Sequence, residues 1–258
     1  MSGRVEEKMS ERVEDSGKRI AVIPAAGMAT RLRPLTEHTP KCLLEVGGKA
    51  LLGRAVEALM QNGIDEAVIV TGYLVPMIES YMAENYPAMK VHFVHNERYA
   101  STNNIYSLYL SAPYAAGRDI LLLDSDILFD PEIISRLLAC PDSEALALER
   151  HPLGAEEIKV TIDEKGMVRD INKEVDPAVA IGESTGLEKM GAEYTRELFN
   201  VLDTMIKEEG LDNVFYEKAF ERLIARGMSL RPVDITGLTA MELDTVEDFD
   251  KARTSTNL

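Results

Sequence analysis

Arg31, Arg33 and Lys41 crowd positive charge just beyond the run "AVIPAAGMA" in a chain whose formal net charge is −16. A local cluster that opposes the global field finds a purpose in a small anionic ligand. The turn Ala25, Ala26, Gly27, Met28, Ala29 follows an apolar run directly and is mostly small. Successive backbone N–H groups in such a turn form a cradle for phosphate oxygens. Arg31 and Lys41 add mobile charge that can neutralise a polyphosphate, and Pro34 and Pro40 stiffen the loop between them. An ordinary strand-to-helix connection with solvated basic residues is the simpler alternative, and it would suffice for a single glycine. The full combination favours phosphate.

Triphosphate chemistry needs a divalent cation, and Mg2+ takes a few carboxylates together with phosphate oxygens and water. "LLLDSDILFD" places Asp124 and Asp126 after four apolar residues, and "AMELDTVEDFDKA" places Asp244 at another apparent strand end. If the first strand continues, alternation sends Asp124 and Asp126 to one face. Acidic residues also end strands and cap helices, and Thr245 with Asp248 fits such a cap.

The elements that must carry these residues follow from periodicity. Residues 19–24, 66–71, 91–96 and 119–124 read as buried strands, apolar on both faces. Helical patterns lie between them at 51–61, ending on Asn62-Gly63, after Tyr73 to about residue 84, and at 103–111. Continuous apolar strands alternating with helices imply an α/β fold, with a mainly parallel central sheet that offers ligands the carboxyl ends of its strands. From about residue 141 the rhythm changes. Strands are expected at 145–148, 158–163, 167–172, 178–190, 229–234 and 240–243, with helices at 192–209, 214–226 and 246–253. No Pro/Gly/Ser-rich linker divides the two parts. The expected organisation is one domain over 19–258, with a first half at 19–140, a second half at 141–258 and an extension at 1–18.

Composition bounds the partners. The chain has 258 residues, 45% hydrophobic and 28% charged, enough for a sizeable core. The strong negative charge argues against general nucleic-acid binding and against docking on anionic membranes. Cys42 and Cys140 have no metal-like spacing, and no apolar signal core or spanning run is visible, so a reduced cytoplasmic setting is the simplest expectation. Self-association is left open.

"PAAGMATRLRPLTEHTPKCLLEVGGKALL" resembles the signature of nucleotidyltransferases that activate sugar phosphates and small phospho-alcohols, whose pattern is Gly-x-Gly-Thr-Arg-Leu-x-Pro-Leu-Thr followed by Pro-Lys-x-Leu. Ala29 stands where that pattern has its second glycine. The resemblance implies a Rossmann-like fold with a smaller acceptor-binding lobe. It also implies a reaction between a nucleoside triphosphate and a phosphate monoester, with Mg2+ on Asp126 and Asp244 and with Asp124 beside the nucleotide. Lys41 and Arg31 are then the catalytic cations, and Ala25 to Ala29, Gly72 and Tyr73 belong to the nucleotide site. Such chemistry needs no protein general acid, and none of the four histidines is assigned a role.

"ERYASTNNIYSLYL" resembles the cytidylyltransferases that act on phosphocholine and 2-aminoethylphosphonate, which implies CTP, with Ser101 and Asn103 near the base. Asn103 or Asn104 can address a pyrimidine edge, while Ser101 or Thr102 could instead cap a helix over Tyr106 and Tyr109. On the acceptor side, "EIKVTIDEKGMVRDINKEV" and "AIGESTGLEKM" resemble the same family and bring in Lys159, Lys173 and Glu183. Tyr216 and Glu217, beside Phe215, suit an ammonium group. The absence of tryptophan tilts the choice from a quaternary ammonium toward a primary amine or a polyol phosphate. Three other readings remain at this stage: a sugar-1-phosphate nucleotidyltransferase, an Asp-x-Asp glycosyltransferase using Asp124-Ser125-Asp126, and a non-catalytic nucleotide-sensing module.

Overall fold

The first apolar run becomes β1 (Ile20–Ala25), buried at every position except half-buried Pro24, because strands cover it on both edges. In this computed structural model, which describes residues 18–254, β1 is followed by the small hairpin β2 (Glu45–Val46) and β3 (Lys49–Ala50). Next come α1 (Leu51–Gln61), β4 (Glu66–Thr71), α2 (Val75–Asn85), β5 (Lys90–His95), α3 (Asn104–Leu110) and the short α4 (Ala112–Ala115). β6 (Ile120–Leu123), β7 (Ile127–Phe129) and α5 (Glu132–Ala139) complete the first half. Helix α1 forms where apolar residues recur at 51, 52, 55, 56 and 59, all buried, and Gly63 at φ 75° ends it.

The second half adds β8 (Ala145–Glu149), β9 (Lys159–Ile162), β10 (Val168–Asn172) and β11 (Gly182–Met190). Then follow α6 (Ala192–Lys207), α7 (Glu217–Ile224), β12 (Arg231–Asp234), β13 (Ala240–Glu242) and α8 (Val246–Thr254). One nine-stranded mixed sheet, in the order β10-β9-β11-β6-β1-β4-β5, runs through both halves, with β8 and β12 joined to it through β11. The pairs β6–β1, β1–β4 and β4–β5 are parallel, so their carboxyl ends emerge on one edge, where α/β sheets bind ligands. β11 runs antiparallel to β6 and is the bridge: its later residues pair β6 and β8, its first residues β8 and β9.

Apolar residues of the two sheet faces form two large core clusters. A third cluster packs Leu32 of the opening loop with Leu51, Leu128, Leu243 and Phe249, tying that loop to the last strand and helix. Several expectations need correction. The strand expected over 119–124 stops at Leu123, because the chain turns at Asp124 before β7 begins. The strand expected from residue 178 begins at Gly182, since 173–181 consists of turns. Residues 1–17 of the expected extension lie outside the described residues.

Candidate functional site

At the carboxyl edge of the parallel strands lies a cleft of about 430 Å3, with walls from both halves of the chain. Ala25, Ala26, Gly27 and Ala29 line part of it. A Cβ built on Gly27 would meet nothing within 4 Å, so the backbone there faces open space. Among the described residues, the amides of Gly27, Met28 and Ala29 donate to no other residue, which leaves them free for a ligand. Ala29 sits in the left-handed region at φ 45°, and its carbonyl accepts from Thr36 Oγ1 at 2.9 Å. Gly72 and Tyr73 do not line the cleft; they hold its rim. A Cβ on Gly72 would lie 2.7 Å from the Ala26 carbonyl, which accepts from the Tyr73 amide. The Tyr73 hydroxyl donates to the Glu37 carbonyl.

The acids come together through a pairing of elements remote in sequence. β13 runs antiparallel to β7, and the Leu243 amide donates to the Asp126 carbonyl, so Asp244 arrives beside Asp126. Alternation along Glu242-Leu243-Asp244 turns both acids to the cleft and Leu243 to the core. Carboxylate oxygens of Asp126, Glu242 and Asp244 all lie within 4.8 Å of one another. Three hard oxygen donors of this kind suit Mg2+. Asp124 lines the same cleft but is not one of the three acids whose carboxylate oxygens gather there. Glu242 had no place in the sequence reading, although the same alternation signals it.

Lys41 Nζ reaches Asp126 at 2.7 Å and Asp244 at 2.5 Å, and Arg31 also pairs with Asp244. Burial alone would lower the Lys41 pKa; the two carboxylates outweigh it and the net direction is up, so the ammonium keeps its charge. Burial would raise the Asp244 carboxyl, but Lys41 and Arg31 hold it below the usual range. Burial, reinforced by Asp126 and Asp244, pushes Glu242 up to about 7.

Further acids lie on the cleft wall and behind it. Asp124 accepts a hydrogen bond from the Tyr216 hydroxyl at 3.0 Å and is raised well above its ordinary pKa by burial and by Asp126, Glu188 and Glu217. Glu188 is wholly buried, and one of its carboxylate oxygens has no partner. Glu217, 7% exposed, lines the cleft with its Oε2 unpartnered, and burial pushes it up to about 7. Exposed Phe215 stands beside it, with Lys173 Nζ 4.9 Å from the ring centroid and 3.2 Å from Glu156. Glu183 and Lys173 also line the cleft.

Other candidate residues are placed elsewhere. Lys159 is buried, its ammonium spent on the carbonyls of Gly154 and Glu157, and it does not reach the cleft. Tyr216 is fully buried and touches the site through Asp124. Met28 and Ser101 are not on the walls; Ser101 closes a turn onto the Arg98 carbonyl. Asn103 lines the cleft and is itself the helix cap, accepting from the Asn104 amide at the start of α3. Buried Asn96 braces this segment by donating to Thr102 and Ser107.

Residues 21–219 match the family described as the MobA-like NTP transferase domain. The chain is 29% identical over 244 residues to the CMP-5'-(3-aminopropyl)phosphonate synthase of Streptomyces rubellomurinus; the match takes in 90% of this chain but 38% of that protein. It is 28% identical over 230 residues to the 2-aminoethylphosphonate cytidylyltransferase of Lancefieldella rimae, with 89% of each chain covered. Among solved structures, the CTP:phosphocholine cytidylyltransferase of Streptococcus pneumoniae superposes with a TM-score of 0.74 at 25% identity, over 91% of this chain and 98% of that one. No helix among the described residues is long and apolar enough to cross a membrane.

Proposed function

Because the chain belongs to the MobA-like NTP transferase domain family and is a nucleotidyltransferase, we propose that it joins CTP to a small amine-bearing phosphonate or phosphate and releases pyrophosphate. The three relatives compared above act, by their names, on amine-bearing phosphonates or phosphocholine, with cytidine as the nucleotide. The observation that carries the reading is the mixed chemistry of one cleft. Lys41 and the carboxylates Asp126, Glu242 and Asp244 line it together with Glu217, which presents a buried, unpartnered oxygen beside Phe215.

The triphosphate lies along Gly27 to Ala29, whose free amides meet its oxygens, while Arg31 takes the outer phosphates. An oxygen of the acceptor's phosphonate attacks the α-phosphorus in line. The bond to the bridging oxygen breaks, its electron pair leaves with pyrophosphate, and a P–O–P link remains. Lys41 neutralises charge that develops on the α-phosphoryl and leaving oxygens, and its position is fixed in advance by its two carboxylate partners. Asp126, Glu242 and Asp244 would hold Mg2+, which supplies Lewis-acid polarisation of phosphoryl oxygens when bound. Ionised Glu217 receives the acceptor's ammonium. A primary amine suits it better than a quaternary one, because Lys173 already covers the Phe215 face and the chain has no tryptophan.

A pyrophosphate-release screen tests this, crossing CTP, UTP, dTTP and ATP with 2-aminoethylphosphonate, phosphocholine, inositol phosphate and hexose 1-phosphates. The expected outcome is turnover with CTP and an amine-bearing acceptor. Turnover confined to UTP or dTTP with a hexose 1-phosphate would replace the reading with sugar activation. Lys41→Ala should lower kcat by on the order of a hundredfold or more, and near-normal rates would remove Lys41 from its role.

A further inference from the structure

His151 follows β8 and stands behind the acceptor wall rather than on it. Its ring is held from both sides: Nδ1 lies 2.9 Å from the Pro152 carbonyl and Nε2 2.7 Å from Glu183 Oε2. A carbonyl oxygen only accepts, so Nδ1 carries a proton. An ionised carboxylate also only accepts, so Nε2 carries one too and the ring is an imidazolium. Were Glu183 to hold that proton instead, the pair would still bear no net charge.

Glu183 lines the cleft, and its backbone is fixed where β11 pairs Glu149 of β8 on one side and Lys159 of β9 on the other. Among the described residues, His151 is the hydrogen-bond partner of its side chain. The cleft already holds Asp124, Asp126, Glu217, Glu242 and Asp244. An anionic acceptor group entering there is repelled by each further charge left uncancelled.

We propose that His151 is a positioning residue for the acceptor wall. Its shared proton cancels the charge of Glu183 and holds that side chain against the 150–158 loop, so the acceptor's anionic group meets a weaker negative field. The acceptor half of this inference rests on the function proposed above; the pairing half rests on ring geometry alone. The charged groups facing His151 are Glu183, Glu149 and Glu157, while neighbouring Arg150 is turned to Asp234. Burial draws the His151 pKa down, but Glu183 and its companions outweigh it and the net direction is up. The proton therefore stays on the pair through the usual imidazole range and leaves at higher pH.

Two measurements on the full chain test this. Imidazole NMR titration, with His151 assigned by its loss in H151Q, should show His151 titrating above the ordinary histidine range and falling back in E183Q. An ordinary titration unaffected by E183Q overturns the pairing. Steady-state kinetics with CTP and 2-aminoethylphosphonate at pH 7 and pH 9 then reads the acceptor KM, with H151Q, E183Q and the double variant compared to wild type. The acceptor's own ionisation is common to all four and cancels in their ratios. The ratio of wild-type KM to E183Q KM should rise on the order of fivefold between the two pH values, as one charge across a solvated cleft gives. H151Q should be high at both, E183Q low at both, and H151Q should add nothing in the E183Q background; kcat and the CTP KM of H151Q should stay within about twofold. A KM increase in H151Q that is the same at both pH values and persists with E183Q marks a purely structural role and overturns the proposal. So does no change in KM at all. Absence of turnover with every acceptor would instead overturn the functional reading and the acceptor half with it, while the titration would still judge the pairing.

Discussion

Ala29 occupies a backbone conformation that costs an alanine about 1 kcal/mol and a glycine almost nothing. The phosphate turn tolerates it because the Ala29 carbonyl is clamped by Thr36 and by the Leu32 amide. Ala29→Gly should therefore raise stability, by up to about 1 kcal/mol after its greater freedom in the unfolded chain is counted. Ala29→Val should lower it by more than that. Thermal unfolding of the two variants decides the matter, and equal, unchanged midpoints would show the turn is unstrained. At this scale the sequence was readable where chemistry is local: Arg31 and Lys41 follow a small-residue turn, Asp126 lies two residues beyond an apolar run that Asp124 ends, and Asp244 follows an apparent strand. It was not readable for Lys159 and Tyr216. Residue type alone does not say whether a side chain faces a cleft or carbonyls behind it, because strand register decides that.

Three strands bring the remote acids to one place, the pair β7–β13 and the bridging strand β11. In β11 the register shifts between Ser184 and Glu188, and Gly186 within that bulge has φ 67°. A Cβ there would stand 2.6 Å from Asp124 Oδ2 and 2.8 Å from Ile127 Cδ1. The bulge thus makes room for the Asp124 side chain and for the start of β7. Gly186→Ala should cost at least about 2 kcal/mol in urea unfolding, from positive φ and steric contact together, and should also raise the acceptor KM by displacing Asp124 and Tyr216. A variant as stable and active as wild type would remove the bulge from the account. The strands and helices were largely visible in the sequence through periodicity. The early end of β6 at Leu123 was not, because "DILLLDSDILF" stays apolar on both sides of a turn that no glycine or proline marks.

Across the whole molecule, a net charge of −16 means that moderate acid should relieve repulsion, yet one carboxylate works against that trend. Glu66, 4% exposed at the first residue of β4 and so at the sheet edge opposite the cleft, receives Arg118 at 3.1 Å, Lys90 at 3.1 Å and His92 at 2.8 Å. Burial would raise its pKa, but the cations win and hold it at about 2. A depressed carboxyl stabilises the fold above its unfolded value and loses that contribution as pH falls through the folded one. Stability should therefore drop by about 3 kcal/mol between pH 5 and pH 2 on this account, and Glu66→Gln should be weaker at pH 7 with a flatter acid limb; parallel acid limbs would exclude it. The parallel half of the sheet could be read from its alternating apolar runs. The bridging of the second half through β11 could not, since pairings over such separations leave no local signature. The central claim, one cleft that holds a phosphate site and an ammonium site, is tested most directly by comparing pyrophosphate release from CTP with 2-aminoethylphosphonate and with ethylphosphonate, in wild type and Glu217→Gln. Wild type should favour the amine at least about tenfold in kcat/KM, and the variant should lose that preference while keeping its KM for CTP. Equal rates on the two acceptors in wild type, or a preference untouched by the substitution, would contradict the account.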